Sequence, residues 1–128
     1  MRFLLDTHAL LWWLYDDPRL SERARGIVRD PANEILVSGA SGWEISTKYR
    51  LGKLPGASEL VRDIEGWVRR AGFRELPVTI AHGQRAGSWP QAHRDPFDRM
   101  LAAQCALEEI PLIGRDPELK DFGIRLVW

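Results

Sequence analysis

Cysteine occurs once in the 128 residues, at Cys105, which excludes an internal disulfide and any zinc site built on cysteine pairs. A reducing compartment, the cytoplasm, is therefore expected. Long apolar runs are absent as well. None approaches the roughly 20 residues that span a bilayer, so no membrane association is expected. The opening run Arg2-Phe3-Leu4-Leu5 is cut short by Asp6, which does not fit a signal peptide. Charge of one sign is also lacking: 18 basic residues balance 18 acidic ones. The overall basic footprint of a nucleic-acid binder is missing, leaving only a local basic face for that role. No internal repeat, low-complexity segment or linker is visible, so residues 1–128 read as one domain. With 45% hydrophobic residues, a chain of this length buries roughly two-thirds of its unfolded surface. Its six tryptophans are assigned mainly to the core, with a partner surface as the other use.

What is present alternates between two patterns. Arg2 to Leu5 is a buried strand, and after Asp6 the Thr7-capped stretch Ala9 to Leu14 is helical. Asp16-Asp17-Pro18 is a turn. Ser21 caps a helix with Ala24, Ile27 and Val28 inward, ending at Asp30-Pro31. Ile35-Leu36-Val37 is a buried parallel strand, followed by a helix from about Ser41 to Leu51 closed by Gly52. Ser58 caps one helix carrying Leu60, Val61, Ile64, Trp67 and Val68, ended by Gly72. Phe73 to Leu76 is a short edge strand, Thr79 to Gly87 a short helix, and Ser88 to Arg94 a loop. Asp95-Pro96-Phe97-Asp98 is a helix start with a cap, a first-position proline and a first-turn acid. That helix runs to about Glu108. Strands at Pro111–Gly114 and Ile124–Trp128 flank the Arg115-Asp116-Pro117 turn. Strands alternating with helices predict an α/β fold with a mainly parallel sheet.

In such a sheet ligands gather at the carboxyl edge of the strands. Asp6, Glu44 and Asp116 are predicted there, Glu44 in the first turn of its helix. Asp98 precedes a strand, so spacing alone does not place it. Converging carboxylates repel and take up protons unless a hard divalent cation neutralises them, and Mg2+ and Mn2+ prefer oxygen ligands. Such an ion activates water for phosphodiester hydrolysis. Each acid also has a plain structural use. Asp6 caps a helix with Thr7, Glu44 and Asp98 suit a helix N-terminus by 0.3–1 kcal/mol or so, and Asp116 starts a turn. Asp95 is the cap of its helix, at the rim of any site.

Around these acids, Thr7 is a candidate to position water. Arg94, Arg99 and Arg115 are candidates to hold an RNA phosphate, or simply counter-ions. His8 and His93 flank acids but lack the Cys or His partners of a zinc site. Lys48, Arg50 and Lys53 read as solvated charge at a helix C-terminus. Cys105 lies on an apolar helical face.

The stretches Leu4-Leu5-Asp6-Thr7-His8, Ser41-Gly42-Trp43-Glu44-Ile45, Lys48 to Leu54, His93 to Arg99 with Leu101-Ala102-Ala103-Gln104, and Arg115-Asp116-Pro117 together resemble PIN-domain ribonucleases. More narrowly, they resemble VapC-type toxins of bacterial and archaeal toxin–antitoxin pairs. The resemblance runs the length of the chain. It implies a three-layer α/β/α sandwich, Mg2+- or Mn2+-dependent RNA cleavage, a homodimer, and a VapB-like antitoxin that blocks the site. Residue by residue it carries over Asp6, Glu44, Asp98 and Asp116 as metal-binding and catalytic acids. It also implies that the Asp98 helix presents its N-terminus to the site. One departure is visible: the family often has Thr or Ser where this chain has Gly114, so a hydroxyl that would steady Asp116 is missing. Gly114 is the one feature favouring the alternative of a non-catalytic PIN-like module that grips RNA or protein. A phosphoryl-transfer domain with an aspartyl nucleophile ranks last, because His8 stands where its second acid would be.

Overall fold

The apolar runs predicted as strands do form strands, and their side chains divide between two cores. The computed structural model describes all 128 residues. Strands β1 (Arg2–Leu5), β2 (Glu34–Ser38), β3 (Arg74–Leu76), β4 (Leu112–Ile113) and β5 (Leu126–Val127) build one sheet in the order β3-β2-β1-β4-β5. Every neighbouring pair is parallel. In register, Leu4 lies between Leu36 and Leu112, and Leu5 between Val37 and Ile113. Because strand side chains alternate in direction, Phe3, Leu5, Ile35, Val37, Ile113 and Val127 face one core, while Leu4, Leu36 and Leu112 face the other. Helices α1 (Thr7–Leu14), α2 (Glu22–Arg29), α4 (Ser58–Arg62) and α5 (Ile64–Arg70) cover the first face through Leu10, Ala24, Leu60 and Val68. Helix α7 (Pro96–Glu108) covers the second through Leu101, Ala102 and Cys105. This is the α/β/α sandwich expected. Burial on both faces is why the strands read as continuous apolar runs; Leu4 and Leu5, both fully buried, each contribute about 1.5–3 kcal/mol. No helix is long and apolar enough to cross a membrane.

Several details differ from the sequence reading. Thr7 and Ser58, expected as caps, are the first residues of α1 and α4: the Asp6 carboxylate caps α1, and α4 follows Ala57 with no side-chain cap. Helix α3 spans Gly39–Arg50 and is capped by Ser38, whose Oγ accepts from the Ala40 N–H at 3.0 Å. It therefore begins two residues earlier than predicted, because Ser38 wins the cap over Ser41. The expected single helix after Ser58 is two, α4 and α5, broken at Asp63 (φ −157°, ψ 65°). The Asp63 carboxylate caps the second piece by accepting from Gly66. The turn after Asp116 continues as a 3-10 helix, Pro117–Phe122.

The order of the strands positions the site. The chain leaves the central β1 for β2 and β3 on one side, then returns to β4 and β5 on the other. The gap between the carboxyl ends of β1 and β4 is thus the topological switch point, where open α/β sheets bind ligands. Helix α7 points there for a geometric reason. Three residues join Glu108 to β4, which fixes the helix C-terminus near the amino edge of the sheet. Thirteen residues at about 1.5 Å each then carry its N-terminus back to the carboxyl edge. That places Asp98, which spacing alone left open.

Candidate functional site

Asp6 extends the central ladder by one bond, its N–H donating to the Ile113 carbonyl at 2.9 Å. Its side chain is 10% exposed. Oδ1 accepts from the Thr7 N–H at 2.9 Å, while Oδ2 lies 3.8 Å from His8 Nδ1. The capping role thus occupies one oxygen and leaves the other. Asp6 also holds the His8 imidazolium above its ordinary value. Thr7, a candidate for positioning water, has its hydroxyl buried against Ser41 Oγ at 2.9 Å, tying the start of α1 to α3.

Glu44 stands in the second turn of α3, not the first, so the macrodipole does not account for it. It is 2% exposed. Oε2 accepts from Lys48 Nζ at 2.5 Å, and Oε1 is buried with no hydrogen-bond partner. Lys48 is therefore a counter-ion one turn along the helix rather than solvated charge, and Glu44 has a basic partner after all.

A cleft of about 480 Å³ collects Asp6, Asp95, Asp98 and Asp116 at the switch point. Asp95 caps α7, Oδ1 accepting from Phe97 N at 2.9 Å and Asp98 N at 3.2 Å. Asp116 caps the 3-10 helix, Oδ1 accepting from Glu118 N at 3.0 Å. Burial pushes the Asp98 carboxyl up to about 6, the charges of Asp95, Asp6 and Glu44 add to the rise, and a hydrogen bond with His93 opposes it. The cluster without a cation thus keeps a proton to higher pH than a free carboxyl does, the direction expected of converging carboxylates. Gly114 lies against Asp6: a Cβ there would sit 3.1 Å from Asp6 Cβ. Its consequence falls on Asp6, while Asp116 is steadied by its own cap.

His93, read from the sequence as a flanking histidine with a surface or hydrogen-bonding role and no zinc site, does hydrogen-bond an acid of the cleft. Its Nε2 lies 3.0 Å from Asp98 Oδ2 and its Nδ1 3.4 Å from Glu118 Oε2. Burial lowers its proton affinity, but Asp98, Asp116 and Glu118 more than compensate, and the net shift is upward. The only sequence signal was its place five residues before Asp98.

The residues fit a hard divalent cation. Glu44 Oε1 is a buried, charged acceptor without a donor, a costly state that a cation relieves, and oxygen donors dominate the cleft. The profile of the PIN domain matches residues 3–124. The chain belongs to the PIN domain family.

Across 69 residues, 51% of the chain, this PIN domain is 45% identical to Ribonuclease VapC16 of Mycobacterium tuberculosis. The match spans about half of that relative, 49% of its length. The fold is similar to that in the crystal structure of VapBC2 from Rickettsia felis bound to a DNA fragment from their promoter. That likeness has a TM-score of 0.72 at 14% identity, covering 100% of this chain and 99% of that one. It is also similar to FitAcB from Neisseria gonorrhoeae, with a TM-score of 0.68 at 17% identity over 98% and 96% of the two chains.

Of the three arginines singled out around the acids, the PIN domain uses each differently. Arg94 is exposed. Arg99 is spent on structure: it donates to the carbonyls of Ala86, Trp89, Gln91 and His93 at 2.6–2.8 Å. Those bonds fold the loop before α7 onto the helix and take its guanidinium away from any phosphate. Arg115 faces the cleft, stacked 4.7 Å from the Trp12 ring, and Arg19, which the sequence did not suggest, stacks on the same indole at 5.1 Å.

Proposed function

We propose that this PIN domain is a VapC-like toxin, a divalent-metal-dependent endoribonuclease that hydrolyses RNA phosphodiester bonds and is silenced by a VapB-like antitoxin. The observation that carries the reading is Glu44 Oε1, buried and unpartnered, beside a cleft already lined by Asp6, Asp98 and Asp116. These four acids would hold Mg2+, with Mn2+ as a substitute. A bound ion of this kind supplies an activated water and neutralises charge on the leaving oxygen. The protein's part is placement. Caps fix one oxygen each of Asp6 and Asp116, and Lys48 offsets one oxygen of Glu44. Arg19 and Arg115 provide the local basic edge that the neutral overall charge withholds, suited to an RNA phosphate.

The homodimer is assigned to the face between α3, α6 (Ile80–Ser88) and α7. Trp43 is 63% exposed there with Phe97 edge-on at 4.6 Å, and Ile80 is 91% exposed. Exposed apolar surface of this kind marks protein contacts. The antitoxin is inferred from the resemblance of the sequence motifs to VapC-type toxins and from the 45% identity to Ribonuclease VapC16 over half of the chain. One buried, free thiol, Cys105, suits a cytoplasmic protein.

The test is Asp6→Asn. It should abolish metal-dependent cleavage of RNA, and growth arrest on expression without the antitoxin, while the circular dichroism spectrum and melting temperature stay unchanged. Full cleavage by the variant would sink the assignment. Gly114 favours the alternative, a PIN module that binds without cutting. Calorimetry with Mn2+ separates the two, because that alternative requires no ion to bind at millimolar concentration.

A further inference from the structure

We propose that His93 is a nitrogen ligand of the divalent ion, binding through Nε2 beside Asp98 and Asp116. The site is thereby tilted from Mg2+ towards transition ions such as Mn2+. The inference rests on the reading of this cleft as a metal site and adds a residue that the acidic set does not contain.

Three observations support it. First, one ligand atom each from His93, Asp98 and Asp116 lie within 4.8 Å of one another. The Nε2 to Asp98 Oδ2 separation is 3.0 Å. Around an octahedral ion with bonds of about 2.1 Å, neighbouring ligand atoms stand about 3.0 Å apart, so the pair already has the spacing of adjacent ligands. Second, the other ring nitrogen has a carboxylate at ion-pair distance, Glu118 Oε2 at 3.4 Å, on an exposed side chain free to turn towards it. A ligating histidine generally donates its second N–H to such a group, which fixes the tautomer and turns the free lone pair to the metal. Third, the ring is fixed before any ion arrives. Arg99 holds the His93 carbonyl at 2.8 Å, Phe122 meets the ring edge-on at 5.8 Å, and the side chain is 14% exposed. The contact between Nε2 and Asp98 requires a proton between them, and an ion would take that proton's place. Imidazole is a poor ligand for Mg2+ and a good one for transition ions, hence the selectivity.

The experiment is pulsed electron paramagnetic resonance of Mn2+ bound to the full chain, with calorimetry of Mn2+ and Mg2+. Wild type should show nitrogen hyperfine coupling to the ion. His93→Gln should lose it and bind Mn2+ about tenfold or more weakly, with Mg2+ affinity changing far less. His8→Gln, which removes the other imidazole near the acids, should keep the coupling. Mn2+ bound to wild type without nitrogen coupling, or coupling that persists in His93→Gln, overturns the proposal and leaves the metal site standing. Failure of Mn2+ to bind wild type at millimolar concentration overturns both.

Discussion

Replacing Asp98 with asparagine should stabilise the metal-free protein and destabilise it, relative to wild type, once metal is added. Burial and three neighbouring carboxylates raise the Asp98 carboxyl from 3.8 to about 6. For an acid raised in this way the ionised form is the one the folded state disfavours. Wild type therefore carries no penalty below about pH 4, acquires it as pH rises through the window to about 6, and bears it fully at neutral pH. Two pH units would correspond to about 3 kcal/mol. The side chain keeps 21% exposure, and solvent screening reduces that figure. Asparagine also forfeits some favourable interaction with the α7 dipole, about 0.3–1 kcal/mol. The net gain is then on the order of 1 kcal/mol, or about 3–5 °C in melting temperature for a chain of this size.

Adding a divalent ion at 100 times its dissociation constant stabilises wild type by about 2.7 kcal/mol and the variant by much less, so the order reverses. Differential scanning calorimetry in chelator and in Mn2+, near pH 7.5 and pH 4.5, reads all four cases. A variant less stable than wild type in chelator near pH 7.5 would refute the electrostatic reasoning. So would an advantage that stays the same near pH 4.5.

Three further perturbations separate the supports of the site. Gly114→Ser brings a Cβ 3.1 Å from Asp6 Cβ and 3.5 Å from Leu126 Cδ1. It should cost about 1–3 kcal/mol by overpacking and weaken Mn2+ binding by calorimetry; tighter binding would show that a hydroxyl was the missing element. Arg99→Lys keeps the charge but not the four carbonyl contacts. It should lower stability in urea by about 3 kcal/mol and raise amide exchange across residues 86–93. Lys48→Met leaves Glu44, whose side chain is 3% exposed, without its counter-ion. About 3 kcal/mol should be lost in chelator, the low end for a broken buried pair, and part of it should return on adding metal.

The fold was legible where signals are local. Asp95-Pro96 announces α7 to the residue, because cap and first-position proline act within one turn. The strands announce themselves because both faces are buried. Contest between neighbours defeated the reading at α3, where Ser38 and Ser41 are both able to cap. It failed again at Asp63, where a residue on the polar side of one apparent helix turns its carboxylate to cap the next. Of the four acids singled out, Asp6, Asp98 and Asp116 line one cleft, while the partners of the acids were not legible. Lys48 stands at i+4 from Glu44, a spacing that allows a pair, but nothing local said that Glu44 is buried. Arg19 reaches Trp12, and Arg99 reaches the loop ahead of it, through tertiary contacts that no periodicity encodes. His93 lies in a loop whose path depends on Arg99, so its approach to Asp98 appears only in three dimensions.

The structural and chemical uses of Asp6 are not rivals: the geometry makes one depend on the other. Asp6, Asp95 and Asp116 each spend Oδ1 on a backbone N–H at the start of a helix or 3-10 turn. A capped carboxylate has one oxygen fixed to the backbone, so the other is aimed without rotamer freedom, the preorganisation a metal site requires. Glu44, in the second turn, has no cap available and is held by Lys48 instead. The two roles are separable at Asp6 because asparagine caps as well as aspartate, while alanine does not. Asp6→Asn should keep the melting temperature and lose Mn2+ affinity. Asp6→Ala should lose both, with a stability cost of about 1 kcal/mol. If the asparagine variant is destabilised as much as the alanine one in chelator, the cap is not what holds Asp6, and the aim of its second oxygen needs another cause.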